Sequence, residues 1–399
     1  MGKTGKKKTA IYMLIDALGW KAAESCAFMR SRLACRQEVE TRLGDLHAAA
    51  AAISSGQPPA RHGRFSFFYY SPETSPFAAF KYMKFAFGAG LYPKCLTNRK
   101  WFRKRISKAA AKFSGDPDGF KIFSMPYHRL PFFDYCEKSD PFAENGLAPL
   151  ENLGGILKKS GLKFFLSAAR KSDGQNLRGA LESARAGADF EFVHNRGFAD
   201  FLTENISGES AAAAALKELE SQAESLIGAV EEAGRECEFT VISTCGAQKC
   251  EKSADLANAV NSLGLKFGRD YAAVFEPSMA RFWYFSERAK AAIRAALSAP
   301  NAPGEFLRAE NLAEFGADFP DKKFGDDIYM CRAGVRIFPS DMQADSRAET
   351  PCLNPNSKDS RACFLSNKIP PFAPRKIDDF FALMKADIER LKKQSGSCE

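Results

Sequence analysis

The chain has 399 residues and a formal net charge of +9, and 45% of its residues are hydrophobic and 26% charged. These values are typical of a soluble globular protein with room for one large α/β domain or two smaller ones. The moderate positive charge permits an anionic ligand, and it gives no reason to expect a specific nucleic-acid partner.

The cysteines and the amino terminus both bear on the cellular compartment. The 11 cysteines are odd in number and include no C-x-x-C pair, which is typical of reduced thiols and not of a disulfide framework. The basic residues before Ile11 lead into an apolar run that Asp16 interrupts. That run is too short for a transmembrane helix, and it has no signal-peptide cleavage site. We therefore expect a cytoplasmic protein.

Short apolar runs rich in β-forming residues alternate along the chain with stretches of helical periodicity. The predicted strands are Thr9–Asp16, Lys121–Ser124, Leu162–Ser167, Asp189–His194, Glu238–Ser243, Tyr271–Phe275 and Arg281–Phe285. The predicted helices are Trp20–Arg36, Leu43–Ile53, Leu150–Ser160, Glu209–Ala233, Ser253–Leu263, Ser286–Leu297 and Ile377–Lys393. Because the strand runs are continuously apolar, they indicate strands buried on both faces, as in a parallel sheet covered by helices.

The pattern as a whole predicts an α/β fold with a central, mostly parallel sheet flanked by helices. We expect a single domain over residues 1–399. The segment 65–149 is rich in aromatic, basic and proline residues and breaks the alternation of strands and helices. It is predicted to be a cap inserted into this domain.

Two segments near the amino terminus carry a resemblance to a known family. Ile11–Trp20 contains an apolar strand that ends in Asp16, and Ser54–Phe77 contains the sequence SSGQPPARHG. Together they resemble the N-terminal half of the type I phosphodiesterase/nucleotide pyrophosphatase family of the alkaline phosphatase superfamily. Further similar segments are Asp134–Phe142, Asp255–Phe285, Gly325–Pro339 and Asn354–Asn367. The resemblance implies an alkaline-phosphatase-like fold with an inserted cap.

The resemblance also implies a reaction mechanism. Members of the family hold two divalent metal ions and attack phosphorus with a Ser or Thr hydroxyl that lies shortly before the His-Gly element. The family's spacing, counted back from Ser55, places this nucleophile at Leu46, beside His47. Neither side chain carries a hydroxyl. The resemblance therefore implies that the nucleophile has been lost.

The positions that correspond to the family's metal ligands hold few metal-binding groups. Asp16, at the end of the first strand, matches the first carboxylate ligand. In the segment FTVISTCGAQ, Thr244 and Cys245 stand where the family has Asp and His. Pro351 stands at the position of the family's last histidine ligand, and proline has no side-chain donor atom.

The remaining ligand pair of the family has no direct counterpart. A one-residue shift of the alignment offers Asp200 and Glu204 as oxygen ligands, and both are also ordinary solvated charges near the start of a helix. Among the histidines, His62 lies in the ARHG turn, where the family keeps a histidine outside the metal site. His194 follows an apolar strand and is interpreted as a hydrogen-bonded histidine rather than a ligand.

The leading hypothesis is a family member whose phosphoester hydrolysis is lost or much weakened. It would act by binding a phosphorylated small molecule or a protein partner, and it would need no cofactor. The alternative is an active phosphoester hydrolase with a rewired single-metal site, in which Asp16, His47, Asp200 or Glu204 hold a weakly bound Mg²⁺ or Zn²⁺.

A third hypothesis is a membrane-peripheral interaction protein. Residues 81–113 interleave basic and aromatic side chains. This pattern is typical of a surface that binds phosphate groups or anionic membranes, and equally of a cap helix with one wet, charged face. The candidate anion-binding residues are Arg99, Lys100, Arg103, Lys104 and Arg105.

Overall fold

The computed structural model describes residues 6–81, 101, 105, 125–204, 208–342, 350–352 and 354–396. The chain divides into two compact units. The first consists of Met1–Arg64, Ser139–Gln248 and Pro351–Glu399, and the second of Phe65–Lys138 and Lys249–Thr350. The organisation as one domain with a cap over residues 65–149 stays a prediction.

Strands and helices alternate through most of the described chain. The strands are β1 (Lys8–Ile15), β2 (Cys35–Val39), β3 (Phe68–Tyr70), β4 (Phe133–Tyr135), β5 (Phe164–Leu166), β6 (Phe190–Asn195), β7 (Glu236–Ser243), β8 (Gly246–Gln248), β9 (Lys252–Ala254), β10 (Tyr271–Phe275), β11 (Met279–Tyr284), β12 (Gly304–Phe306), β13 (Asp327–Cys331), β14 (Val335–Ile337), β15 (Thr350–Cys352) and β16 (Ala362–Ser366). The helices are α1 (Trp20–Ser25), α2 (Leu46–Ser55), α3 (Pro59–His62), α4 (Leu153–Ser160), α5 (Asp173–Arg185), α6 (Gly197–Glu204), α7 (Gly208–Glu232), α8 (Leu256–Asn261), α9 (Glu287–Leu297), α10 (Ala309–Glu314) and α11 (Asp379–Gly396).

The first unit is built on a central sheet. Within the described residues it has six strands in the order β2-β16-β7-β1-β6-β5. The strands β7, β1, β6 and β5 are parallel, and β16 runs antiparallel to β7 and to β2. The pairing places His194 and Ile242 on either side of Leu14. This topology confirms the predicted central, mostly parallel sheet.

Helices cover both faces of this sheet. Ile11 and Met13 of β1 face one core, together with side chains of α5 and α7. Tyr12 and Leu14 face the opposite core, together with side chains of α2, α4 and α11. Because side chains alternate along a strand, only an inner strand that is covered on both faces buries such a continuous apolar run.

The second unit contains an antiparallel sheet of order β10-β11-β13-β12. Side chains of α8 and α9 pack against it. Arg281 on β11 is fully buried, and its guanidinium donates to Ser66 Oγ and to Glu276 Oε1, both at 2.9 Å. An arginine is tolerated inside this core because Glu276 balances its charge.

The helix predicted over Trp20–Arg36 is wrong beyond its first turns. It ends at Ser25, and Ala27 and Met29 then adopt positive φ angles of 49° and 46°. The chain continues into β2, which pairs with β16. The partner strand comes from the far end of the sequence, so no local pattern could indicate this pairing.

The helix predicted over Ser253–Leu263 begins later than expected. Lys252–Ala254 forms β9, and the side chain of Asp255 then caps α8 by accepting from the backbone N–H of Asn258 at 2.8 Å. The strand predicted over Lys121–Ser124 lies outside the described residues. The other predicted elements agree with the structure to within a few residues at their ends.

Candidate functional site

The carboxyl ends of β1, β6 and β7 meet at one edge of the central sheet, where α/β folds commonly bind ligands. Asp16 directly follows β1, Asn195 ends β6, and Thr244 directly follows β7. The backbone N–H of Asp16 donates to the carbonyl of Asn195 at 3.0 Å. The sheet therefore brings Asp16 and Thr244, two of the predicted site residues, to the same edge.

The side chains of Asp16 and His194 are in close contact at this edge and are both largely buried. Asp16 Oδ2 lies 3.1 Å from His194 Nε2, and the two side chains are only 7% and 12% exposed. Within the described chain, neither Asp16 Oδ1 nor His194 Nε2 has a hydrogen-bond partner. The two atoms therefore lie within ion-pair distance, and they do not form a hydrogen bond of good geometry. Asp16 keeps an unused acceptor.

The position of His194 is fixed from two sides. Its backbone N–H donates to Ser167 Oγ at 3.0 Å, and its ring packs edge-on against Phe142 with 5.7 Å between the ring centroids. The sequence interpretation treated His194 as a hydrogen-bonded histidine and did not connect it with Asp16. Its place near the end of a strand next to β1 is the signal that would have linked it to Asp16.

Thr244 and Cys245 lie in the protein interior, at the two positions where the resemblance implies an aspartate and a histidine. Both residues are fully buried. Thr244 Oγ1 accepts a hydrogen bond from the backbone N–H of Ala17 at 3.1 Å, and the Thr244 carbonyl accepts one from Thr41 Oγ1 at 2.7 Å. The Thr244 hydroxyl also lies 3.9 Å from Cys245 Sγ, to which it donates. These groups hold the strand ends together.

The predicted position of the nucleophile lies at the start of α2. Asp45 caps this helix, because its side chain accepts from the backbone N–H of Ala48 at 2.8 Å. Leu46 is the first residue of the helix and packs against the core on the α5 and α7 side of the sheet. His47 is half-buried. The helix thus begins with an apolar side chain where the family has a hydroxyl.

Where the structure describes them, the other predicted site residues lie on elements other than β1, β6 and β7. Asp200 is exposed on α6, and Glu204 ends the same helix. Pro351 lies in β15, which pairs with β8. Arg105 is exposed. The structure does not describe Arg99, Lys100, Arg103 and Lys104.

His62 is a structural residue of the turn that follows α2. Its Nδ1 atom accepts from the backbone N–H of Arg64 at 3.2 Å. Burial lowers the pKa of His62 to about 3, and the nearby positive charges of Arg64 and Arg42 act in the same direction. The imidazole is therefore neutral at physiological pH, as in the predicted role outside a metal site.

The described residues do not fit the two-metal centre that the resemblance implies. Among them, no group of three or more His, Cys, Asp and Glu side chains is placed to hold a metal ion. A zinc site draws roughly three or four ligands from the protein. Asp16 and His194 offer one oxygen and one nitrogen, and the Thr244 hydroxyl is already hydrogen-bonded within the core.

Comparison with known proteins gives a fold and no close relative. No family model matches the chain, and no curated protein sequence matches it. The solved structure of human ectonucleotide pyrophosphatase/phosphodiesterase 5 matches with a TM-score of 0.65 and 9% identity, over 96% of this chain and 95% of that one. Two structures of the murine protein give the same values, and one of them is of an inactive threonine-to-alanine variant in complex with AMP.

The chain therefore has an α/β fold with a central, mostly parallel sheet whose strand ends form the candidate site. The same fold is found in human and murine ectonucleotide pyrophosphatase/phosphodiesterase 5. The resemblance predicted from the sequence is confirmed at this level. No helix among the described residues has the length and apolar character needed to cross a membrane.

Proposed function

We propose that this chain has lost two-metal phosphoester hydrolysis and acts by binding a ligand or a protein partner. The observation that carries the proposal is the burial of Thr244 and Cys245 at positions where the resemblance implies two metal ligands. The Thr244 hydroxyl accepts from the backbone N–H of Ala17. A metal ion could use this oxygen only after that buried hydrogen bond had been broken.

Charge gives a second argument. Two dications held close together need several carboxylates to offset their mutual repulsion. Asp16 supplies a single negative charge, and His194 already lies against it. Thr244 supplies none. Ions at this edge would therefore be held too weakly to compete with their hydration in water.

The position of the nucleophile gives a third argument. Leu46 packs against the core, and a covalent phospho-enzyme needs an activated nucleophile at this point. The murine relative is in complex with AMP as an inactive threonine-to-alanine variant. Loss of a threonine in this fold is thus compatible with ligand binding, which supports a phosphorylated small molecule as the ligand of this chain.

The alternative is an active hydrolase with a rewired single-metal site. It would use Asp16 with His47, Asp200 or Glu204 around one ion. Asp200 is exposed on α6, whereas Asp16 is buried. This difference in exposure favours the binding protein over the rewired enzyme.

Hydrolysis by the full chain tests the proposal. We expect no turnover of a nitrophenyl phosphodiester above the uncatalysed rate with Zn²⁺, Mg²⁺ or Mn²⁺ present. The Asp16→Ala variant is the matched control, because it removes the first carboxylate ligand. Turnover by the wild-type chain that this variant lacks would contradict the proposal. Calorimetry with AMP then separates a protein that binds phosphorylated ligands from one that binds only protein partners.

A further inference from the structure

We propose that His194 takes the place of the metal ions as the partner of the Asp16 carboxylate. In the family, the carboxylate at the end of the first strand faces dications. Here an imidazole from the neighbouring strand occupies that role, so the site is complete without metal. This inference rests on the proposed function, because it requires that Asp16 binds no metal ion in the wild-type chain.

The sheet register places the two side chains together. Strands β1 and β6 are parallel, with Leu14 opposite His194. Side chains two residues apart along a strand point to the same face, so Asp16 lies on the same face as Leu14 and His194. The resulting distance between Asp16 Oδ2 and His194 Nε2 is 3.1 Å.

Burial makes a partner necessary. A carboxylate that is removed from water without a compensating group is strongly unfavourable. The Asp16 side chain is only 7% exposed, and within the described residues the one basic group within ion-pair distance is His194. Among the described residues, the imidazole is therefore the group placed to act as the partner of this carboxylate.

The surroundings hold the imidazole in this position. Ser167 Oγ accepts from the His194 backbone N–H, and the Phe142 ring lies against the imidazole. Neither contact comes from Asp16. The side chain is thus placed at the carboxylate by the rest of the fold and does not depend on the ion pair for its position.

Asp16 also retains the capacity to bind a cation. Its Oδ1 atom is buried and has no hydrogen-bond partner in the part of the chain that the structure describes. Removal of the imidazole would leave a carboxylate with both oxygens unpaired beside a space of side-chain size. A hydrated dication would be attracted to this unpaired carboxylate more strongly than a water molecule, because it carries the opposite charge.

Three variants of the full chain test this inference, with Zn²⁺ or Mg²⁺ alone as the probe. We expect His194→Ala to lower the Tm in EDTA by roughly 5 °C and to bind the cation about tenfold more tightly than the wild-type chain. In the double variant Asp16→Asn/His194→Ala, we expect both effects to disappear because the buried charge is gone. Asp16→Asn alone is the matched control.

Each outcome decides the inference. Equal cation affinity in His194→Ala and in the double variant would overturn it, as would an equal loss of Tm in both. If His194→Ala does not fold, a folded double variant supports the inference and an unfolded one overturns it. The proposed function is tested by a different measurement. Asp16-dependent hydrolysis by the wild-type chain would contradict it, and neither the Tm values nor the cation affinities measure hydrolysis.

Discussion

Thr244 Oγ1 accepts a hydrogen bond from the backbone N–H of Ala17 at 3.1 Å and so ties the end of β7 to the residue after Asp16. Ala17 has a φ angle of 62°, a conformation that non-glycine residues rarely adopt. The hydroxyl thus holds the backbone in an uncommon conformation directly beside the candidate site. Thr244 thus has a structural role at the position where the resemblance implies a metal ligand.

Replacement of Thr244 separates the hydrogen bond from the packing. Thr244→Val leaves the buried Ala17 N–H without an acceptor, so we expect a loss of about 2 kcal/mol in the free energy of unfolding. Thr244→Ser keeps the hydroxyl and loses only a methyl group, with an expected loss of about 1 kcal/mol. Urea unfolding measures both values.

Hydrogen exchange at Ala17 distinguishes the two variants further. The Ala17 amide should stay protected in Thr244→Ser and exchange faster in Thr244→Val, because only the serine variant retains an acceptor. Equal exchange rates of this amide in the two variants would show that the Thr244 hydroxyl does not hold the strand end.

The buried carboxyl group of Glu191 on β6 should make the free energy of unfolding depend on pH. It is fully buried, and neither of its carboxylate oxygens has a hydrogen-bond partner among the described residues. Burial raises its pKa from the ordinary 4.5 to about 8, an effect that the nearby Ser183 hydroxyl offsets only in part. In the folded state Glu191 keeps a proton that it releases above pH 4.5 in the unfolded chain. The free energy of unfolding therefore falls as the pH rises from 4.5 to about 8.

The variant Glu191→Gln should remove this dependence. It stays neutral at every pH, so its stability relative to the wild-type chain should rise with pH and reach on the order of 4 kcal/mol above pH ~8. Chemical unfolding at a series of pH values measures the difference. The same change at Glu182, which is exposed on α5, should produce no such trend. A constant difference between Glu191→Gln and the wild-type chain would contradict the account.

The buried imidazole of His62 should have the opposite effect, so that the free energy of unfolding falls as the pH is lowered. Its pKa is lowered to about 3, so the folded state excludes a proton that the unfolded chain takes up near its ordinary pKa of 6.5. The contribution of neutral His62 to the free energy of unfolding is therefore fully present above pH 6.5 and is lost as the pH falls toward 3. The ring resonances of His62 in NMR spectra should not titrate between pH 8 and about 4. A midpoint close to the ordinary pKa would show that the ring is not buried as the structure has it.

Tyr12 and Asp387 join the central strand to the last helix. The Tyr12 hydroxyl donates to Asp387 Oδ2 at 2.6 Å, and Lys368 and Arg390 pair with the same carboxylate. Tyr12→Phe leaves the carboxylate with its two cations, so we expect a loss of about 1 kcal/mol. Asp387→Ala leaves the buried Tyr12 hydroxyl without its acceptor and removes one of the two carboxylates that Lys368 and Arg390 contact, the other being Glu238. We expect a loss of about 3 kcal/mol.

An exposed residue on α11 provides the control for this pair. Glu389 contacts Lys392 at 3.4 Å, and both side chains are substantially exposed. Glu389→Ala should therefore change the free energy of unfolding little, since exposed ion pairs contribute little. Equal losses in Asp387→Ala and Glu389→Ala would contradict a stabilising role for the buried network.

The sequence was sufficient to predict the sheet and the place of one candidate site residue in it. Continuous apolar runs over β1, β6 and β7 indicated inner parallel strands, and Asp16 was placed correctly at the end of the first. These features are local, because burial on both faces and the end of a strand leave their mark within a few residues.

The contacts that define the site could not be predicted in the same way. The pairing of β2 with β16, the contact of Asp16 with His194 and the hydrogen bond from Thr41 to the Thr244 carbonyl all join distant parts of the chain. Their geometry depends on strand order and register, which a single sequence does not specify. The resemblance implied that metal ligands had been replaced, and it did not indicate which contacts the replacing residues make.

The content of divalent metal in the purified full chain tests the central claim most directly. Equilibrium dialysis against Zn²⁺, for the wild-type chain and Asp16→Ala side by side, measures the number of ions bound per chain. The account predicts that the two proteins bind the same small amount. Two tightly bound ions per wild-type chain, lost in Asp16→Ala, would contradict it.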